Sequence, residues 1–278
     1  MEGRDRQALG LIDEASAKRR MRTALGGGYS PVLRWYRGMR PPWLWQRINR
    51  NGKVTRAYIS EYGLEVRHGP FAGMRFPRRA VGRANFLPTK LLGCYERELE
   101  PALEQAIADE YSLFVEVGSG DGYYCVGFKT RSPRTCVMGF ETDATHRRLS
   151  QRVAELNQVS IELAGAASPE TLNRLPPGRL FLMTDVEGYE VELLDIARVP
   201  RLQETTMLVE IHEAEREITN AFQERFGETH DLTLIEGSPR SQDDYAELRA
   251  WPVESAHWAL SEGRSELPRW MLMKPRTR

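Results

Sequence analysis

The sequence predicts an α/β fold: a mostly parallel seven-stranded sheet with helices on both faces, preceded by an N-terminal extension. Three observations carry that expectation. From about residue 113, short apolar runs alternate with segments of helical period, and this alternation calls for parallel crossovers. The turn Gly118-Ser119-Gly120-Asp121-Gly122 directly follows the first apolar run, where an open α/β sheet receives a ligand. Acidic residues close several of the later runs.

Taken in order, residues 1–88 read as a basic, aromatic extension with short strands, and residues 89–278 as the main domain. A short helix is expected over 5–25. Tyr29, Trp35, Tyr36, Trp43 and Trp45 lie among Gly26-Gly27-Gly28, Pro31 and Pro41-Pro42 without clear period. Residues 57–79 suggest short strands, Ala57–Ser60 and Leu64–Arg67, with a tight connection at Gly69-Pro70 and Gly73. Leu91, Leu92, Tyr95, Leu99, Leu103 and Ile107 recur at helical spacing, so one helix is expected over 89–110. Strands then read at Leu113–Val117, Val137–Glu141, Ile161–Gly165, Leu180–Asp185, Thr206–His212, Leu232–Ile235 and Trp270–Met273. Helices are expected at 122–130, 144–157, 169–175, 188–196 and 214–226. Residues 237–267 form an insertion with no assigned place.

The 278 residues, 41% hydrophobic and 28% charged, suit a globular chain with a sizeable core. Lys+Arg and Asp+Glu are both 39, so no global charge points to nucleic acid. The balance is uneven: residues 1–60 hold 13 basic against 4 acidic side chains, and the remainder 26 against 35. Solvated or mutually packed halves explain this, as does contact of residues 1–55 with a membrane surface, a second copy or a peripheral partner. Cys94, Cys125 and Cys136 match no zinc spacing, which suggests free thiols in a reducing compartment. With no apolar run long enough to span a membrane and no signal-peptide core, the expected location is the cytoplasm.

Strand, glycine turn and helix together aim backbone N–H groups at a ligand. A dinucleotide site would place glycine at 123, where this chain has Tyr123. The contracted spacing Gly118, Gly120, Gly122 resembles the first motif of class I methyltransferases that use S-adenosylmethionine (SAM). That resemblance implies that Glu116, two residues before the first glycine, helps hold the methionine end. Ser119 lies inside the turn, and Tyr123 follows it as a packing residue or a cofactor contact. Glu141, 23 residues after Gly118, ends the second strand and can accept two hydrogen bonds from a ribose. Gly165, Ala166 and Ala167 leave room for adenine against the backbone.

Later strands end in Asp185-Val-Glu187-Gly-Tyr-Glu190 and Val209-Glu210-Ile-His212. These phrases resemble the FkbM family of methyltransferases, over roughly residues 113–213 and again near Glu262-Gly263-Arg264. The resemblance implies a class I fold, SAM as donor, and O-methylation of a sugar, glycan or secondary metabolite. Nitrogen- or peptide-directed transfer, and a SAM-binding scaffold without turnover, remain alternatives. Asp185, Glu187 and His212 are expected on the rim, with Glu210 beneath it. A hydroxyl acceptor needs its proton removed, and His212 is the first candidate because imidazole titrates near neutrality. Asp185 would orient it, take the proton or touch the cofactor. A divalent cation on Asp185, Glu187 and His212 is a second option.

Overall fold

A computed structural model describes residues 42–276 apart from Glu187, residues 213–216 and Ser265. The expected helix over 5–25 lies outside the described residues, as does Glu187. Residues Arg50–Arg278 form one compact unit. Among the described residues no helix is long and apolar enough to cross a membrane.

Helix α1 spans Pro42–Tyr62 and replaces the strand expected at Ala57–Ser60. Val54 and Tyr58, four residues apart, are buried. Tyr58 packs against Tyr62 and Trp251 with ring centres 5.0 and 6.1 Å away. Contact recurring once per turn outweighs the β-propensity of Thr55, Tyr58 and Ile59. Residues 64–66 do pair in extended form, with 73–76: Val66 N donates to Met74 O and Phe76 N to Leu64 O, each at 2.8 Å. Phe71, Met74 and Phe76 from this hairpin join the main core, so residues 64–76 pack with the sheet.

The helix expected over 89–110 is broken into α2 (Leu87–Leu92) and α3 (Glu100–Ala108). Gly93 ends α2 with φ +84, and a Cβ there would lie 2.0 Å from the His68 carbonyl oxygen. The hairpin backbone thus presses on the one residue able to accept it. Pro101, in the first turn of α3, marks the restart.

The sheet alternates as expected. Its strands are β1 (Leu113–Val117), β2 (Cys136–Phe140), β3 (Glu162–Ala164), β4 (Leu180–Thr184), β5 (Thr206–Glu210), β6 (His230–Glu236) and β7 (Arg269–Pro275). Between them lie α4 (Tyr123–Arg131), α5 (Ala144–Leu156), α6 (Pro169–Asn173), α7 (Glu190–Leu193), α8 (Glu217–Phe226) and α9 (Val253–Leu260). The spatial order is β3-β2-β1-β4-β5-β7-β6. β7 runs antiparallel to both neighbours, and the other pairings are parallel.

β1, β4 and β5 are buried on both faces, which explains their near-continuous apolar sequence. Phe114, Phe181 and Leu208 pack into one core, and Val115, Leu182 and Val209 into the other, following the two-residue alternation of a strand. The helix expected at 188–196 is the single turn of α7. Asp143 caps α5 by accepting from Thr145 N at 2.6 Å, and a Ser168–Thr171 capping box starts α6.

Residues 237–268 connect β6 to β7. Because β7 is antiparallel, it begins where β5 ends: Trp270 pairs with Glu210, and Ile211 N donates to Arg269 O at 2.8 Å. The unplaced insertion therefore returns to the carboxyl edge of the sheet and delivers Glu262 and Arg264 there.

Candidate functional site

The glycine turn is anchored from beneath. Gly118 N and Ser119 N both donate to Phe140 O, at 2.8 and 3.0 Å. A Cβ on Gly118 would lie 2.0 Å from the Asp185 carbonyl oxygen, and one on Gly122 would lie 2.3 Å from Ser150 Oγ. These two glycines let β1 meet β4 and let α4 meet α5. Gly120 differs: a Cβ there would find nothing nearer than 3.9 Å. Its open face borders the carboxyl ends of β2 and β3.

Glu141 stands at that border. Its Oε2 accepts from Gly120 N at 2.9 Å and its Oε1 from Asp143 N at 2.7 Å. The carboxylate is thereby fixed, and each oxygen keeps a second lone pair. Gly165 and Ala166, just past β3, are exposed, and nothing lies within 4 Å of a Cβ on Gly165. Gly120, Glu141 and Gly165–Ala166 thus line the ends of three adjacent strands.

The other expected contacts, Glu116, Ser119 and Tyr123, are buried. Glu116 is buried, and its Oε2 accepts from Cys125 N at 3.0 Å at the start of α4. Burial pushes its carboxyl up to about 8. Ser119 is 3% exposed and its Oγ has no hydrogen-bond partner. The Tyr123 ring is buried, edge-on to Phe71 and Tyr95 at 5.2 and 5.7 Å, so its side chain packs in the core. Sequence reasoning missed Lys90 and Asp121, a buried ion pair at 2.6 Å beside the turn. Asp121 Oδ1 has no partner. A lysine within an apolar helix was the available signal, because a buried cation must find a carboxylate.

On the other side of Gly118, β4 and β5 bring Asp185, Glu210 and His212 together. Glu190, fully buried in α7, accepts from His212 Nδ1 at 3.0 Å. Arg264 pairs with both Glu210 and Glu96. Tyr124 OH donates to Glu96 Oε2 at 2.5 Å, and Glu262 Oε1 accepts from Glu96 N at 2.9 Å. Arg240 completes the group at 2.6 Å from Glu262. Sequence reasoning placed Glu210 beneath the rim and gave no role to Glu96 or Glu190. Only the fold brings these distant residues together.

The cluster sets its own charges. Burial opposes the charge on His212, but the hydrogen bond to Glu190 and the fields of Glu210 and Asp185 outweigh it and raise the ring to about 11. Burial also opposes ionisation of Glu210, and His212 with Arg264 overcomes it, holding that carboxyl at about 2. Asp185 is pushed up by burial and by the charge of Glu210. The carboxylate neighbours of His212 favour the protonated ring, so it does not behave as the isolated imidazole that the sequence suggests.

Residues 239–268 enclose a cleft of about 840 Å³, whose wall includes Asp243, Val253, His257, Leu260, Arg264 and Leu267. Val253 and Leu267 are exposed large hydrophobic residues. Through Arg264 the cleft adjoins the Glu210 end of the acidic cluster.

No family model and no curated protein matches the sequence. Solved methyltransferase structures are among its structural matches. The precorrin-6y C5,15-methyltransferase of Geobacter metallireducens is 13% identical, with 64% of this chain and 89% of that chain covered and a TM-score of 0.41. An O-methyltransferase from Bacillus cereus, solved with SAH, is 10% identical over 81% and 91% of the two chains, with a TM-score of 0.42. TomG, an O-methyltransferase of tomaymycin synthesis from Streptomyces achromogenes solved with SAM, is 10% identical over 63% and 80%, also at 0.42. The fold assignment rests on the sheet itself: β3-β2-β1-β4-β5-β7-β6 with β7 reversed is the class I methyltransferase order.

Proposed function

We propose that this chain is a SAM-dependent methyltransferase that methylates a hydroxyl on a sugar, glycan or secondary metabolite. The observation that carries the reading is the contrast among three glycines. Gly118 and Gly122 are packed shut, whereas Gly120 presents an open backbone face between Glu141 and the bare end of β3. The Glu141 carboxylate would hold the ribose hydroxyls, and Gly165–Ala166 would flank adenine. The unpartnered Ser119 Oγ and Asp121 Oδ1 supply further polar atoms near the turn. The resemblance of Asp185–Glu190 and Val209–His212 to FkbM sequences points to the same donor and to oxygen as acceptor.

The cofactor supplies an electrophilic methyl group. The chain's task is to bring an acceptor oxygen in line with it and exclude competing water. The C–O bond forms as the S–C bond breaks, and the bonding pair leaves on sulfur. The hydroxyl proton is received by the Asp185 carboxylate, the most basic of the cluster's acids. In this reading the cleft lined by residues 239–268 holds the acceptor, with Val253 and Leu267 covered by its apolar part. Its size falls within the range of small-molecule sites, roughly 300–1,000 Å³.

Calorimetric titration with SAM and SAH tests the donor, and an acceptor screen with methyl-labelled SAM tests the reaction. Binding of neither nucleoside would sink the proposal. Label entering only amines or peptides would overturn the choice of oxygen.

A further inference from the structure

We infer that Asp185, Glu210 and His212 form a binding site for one divalent cation, with Glu190 as the residue that aims the histidine. Its use in catalysis rests on the methyltransferase reading, but ion binding does not. One ligand atom from each of the three residues lies within 4.8 Å of the others. Glu187, the third ligand that the sequence suggested, lies outside the described residues; Glu210 is a carboxylate ligand that the sequence did not suggest.

The spacing is the first argument. His212 Nε2 stands 3.5 Å from Asp185 Oδ1 and 3.4 Å from Glu210 Oε2. A direct charge-assisted hydrogen bond would draw such pairs to about 2.7–2.9 Å. Ligands about 2.1 Å from a common metal ion stand roughly 3.0–3.4 Å apart for bond angles between 90° and tetrahedral. The observed separations match neighbouring ligands around an ion better than hydrogen-bonded partners.

The orientation of His212 is the second argument. Its Nδ1 is held by Glu190 Oε1 at 3.0 Å, and the same oxygen accepts from Val186 N and Gly188 N, each at 3.2 Å. A carboxylate that fixes one imidazole nitrogen while the other points at the metal is the usual support of a metal-bound histidine.

The third argument is an unpartnered atom. Glu210 is 2% exposed. Arg264 occupies Oε1, whereas Oε2 has no hydrogen-bond partner and faces His212 Nε2. An arginine on one oxygen leaves the other aimed at the ion. Asp185 and His212 are partly exposed, at 36% and 24% of their side chains, so an ion can enter and keep open positions. One imidazole with two carboxylates suits a first-row divalent ion such as Mn²⁺, Co²⁺ or Zn²⁺ over Ca²⁺. Under the methyltransferase reading, an acceptor hydroxyl at an open position would lose its proton more readily.

The test uses the full chain, stripped with chelator and titrated with Mn²⁺ by electron paramagnetic resonance and with Co²⁺ by visible absorption. One ion should bind per chain. Asp185→Asn and His212→Ala should each weaken binding at least about 100-fold, and Glu190→Gln about 10–100-fold. Circular dichroism identifies any variant that has not folded. Asp185→Asn, on the partly exposed rim, and Glu190→Gln keep the test open should His212→Ala unfold. Failure of both Mn²⁺ and Co²⁺ to bind with a Kd below about 1 mM overturns the inference, as does parental affinity in folded Asp185→Asn. SAH calorimetry on the same samples separates the two proposals. SAH binding without ion binding defeats only the metal site, and ion binding without affinity for SAM or SAH defeats only the methyltransferase reading.

Discussion

Replacing Gly118 and Gly120 by alanine, one at a time, distinguishes a packed glycine from a binding one. Gly118 has φ +91, and an added Cβ would sit 2.0 Å from the Asp185 carbonyl oxygen and 3.0 Å from its carbon. That carbonyl belongs to backbone fixed at the end of β4, where Asp185 N donates to Val117 O at 2.9 Å, so it cannot swing aside. Left-handed backbone in an L-residue costs about 1–2 kcal/mol, and overpacking adds about 1–3 kcal/mol. Gly118→Ala should therefore lose about 2–5 kcal/mol in urea denaturation. Gly120 has φ +51 and open space around the added carbon. Its alanine should lose only the backbone strain, about 1–2 kcal/mol. The same methyl would obstruct a nucleoside lying over the turn, and an obstruction of about 1–3 kcal/mol weakens SAH roughly 5- to 150-fold in calorimetry. If Gly120→Ala binds SAH as tightly as the parent, the ligand does not lie over this face and the site is misplaced.

Glu116→Gln keeps an acceptor for Cys125 N and removes a carboxyl whose pKa burial raises from 4.5 to about 8. The folded form holds that proton more tightly than the unfolded chain, so this group's stabilisation is complete below pH 4.5 and lost as pH rises through 8. Urea denaturation of the cofactor-free protein should show Glu116→Gln gaining on the parent between pH 5 and 8; a constant difference contradicts the burial argument. Phe71→Ala should lose about 3–5 kcal/mol, because the ring is buried against Tyr123 and Tyr124; a loss below about 1 kcal/mol would detach the 64–76 hairpin from the core. Arg264→Met strips the guanidinium from Glu96, Glu210 and Glu262. A loss of up to about 3–5 kcal/mol is expected by denaturation, and parental stability would show that the acids do not depend on it.

The sheet was legible because β1, β4 and β5 are buried on both faces and read as unbroken apolar runs. The glycine turn and Glu141 were legible because their spacing is local and set by strand geometry. The 89–110 helix was misread because its apolar period continues through Gly93, and only contact with the His68 carbonyl stops it. Ala57–Ser60 was misread because aromatic and β-branched residues favour strands until a helical face finds Trp251, nearly 200 residues away. Glu96 and Arg264 are 168 residues apart and become partners only when β7 runs back against β5. Glu190 meets His212 across 22 residues, beside the paired strands β4 and β5.

The break in that helix also explains how the two halves of the site are joined. Glu96 lies in the break with φ +46, a conformation that costs a non-glycine residue about 1–3 kcal/mol and persists only where surrounding contacts enforce it. Those contacts are present: Tyr124 OH and Arg264 on its carboxylate, and Glu262 on its backbone N–H. Tyr124 is the second residue of α4, immediately beyond Gly122. Arg264 continues from Glu96 to Glu210 at the end of β5. An uninterrupted helix would leave no such turn at Glu96 to carry its carboxylate to both partners. The strained residue thus links the glycine turn to the acidic cluster through one buried chain of hydrogen bonds, Tyr124–Glu96–Arg264–Glu210.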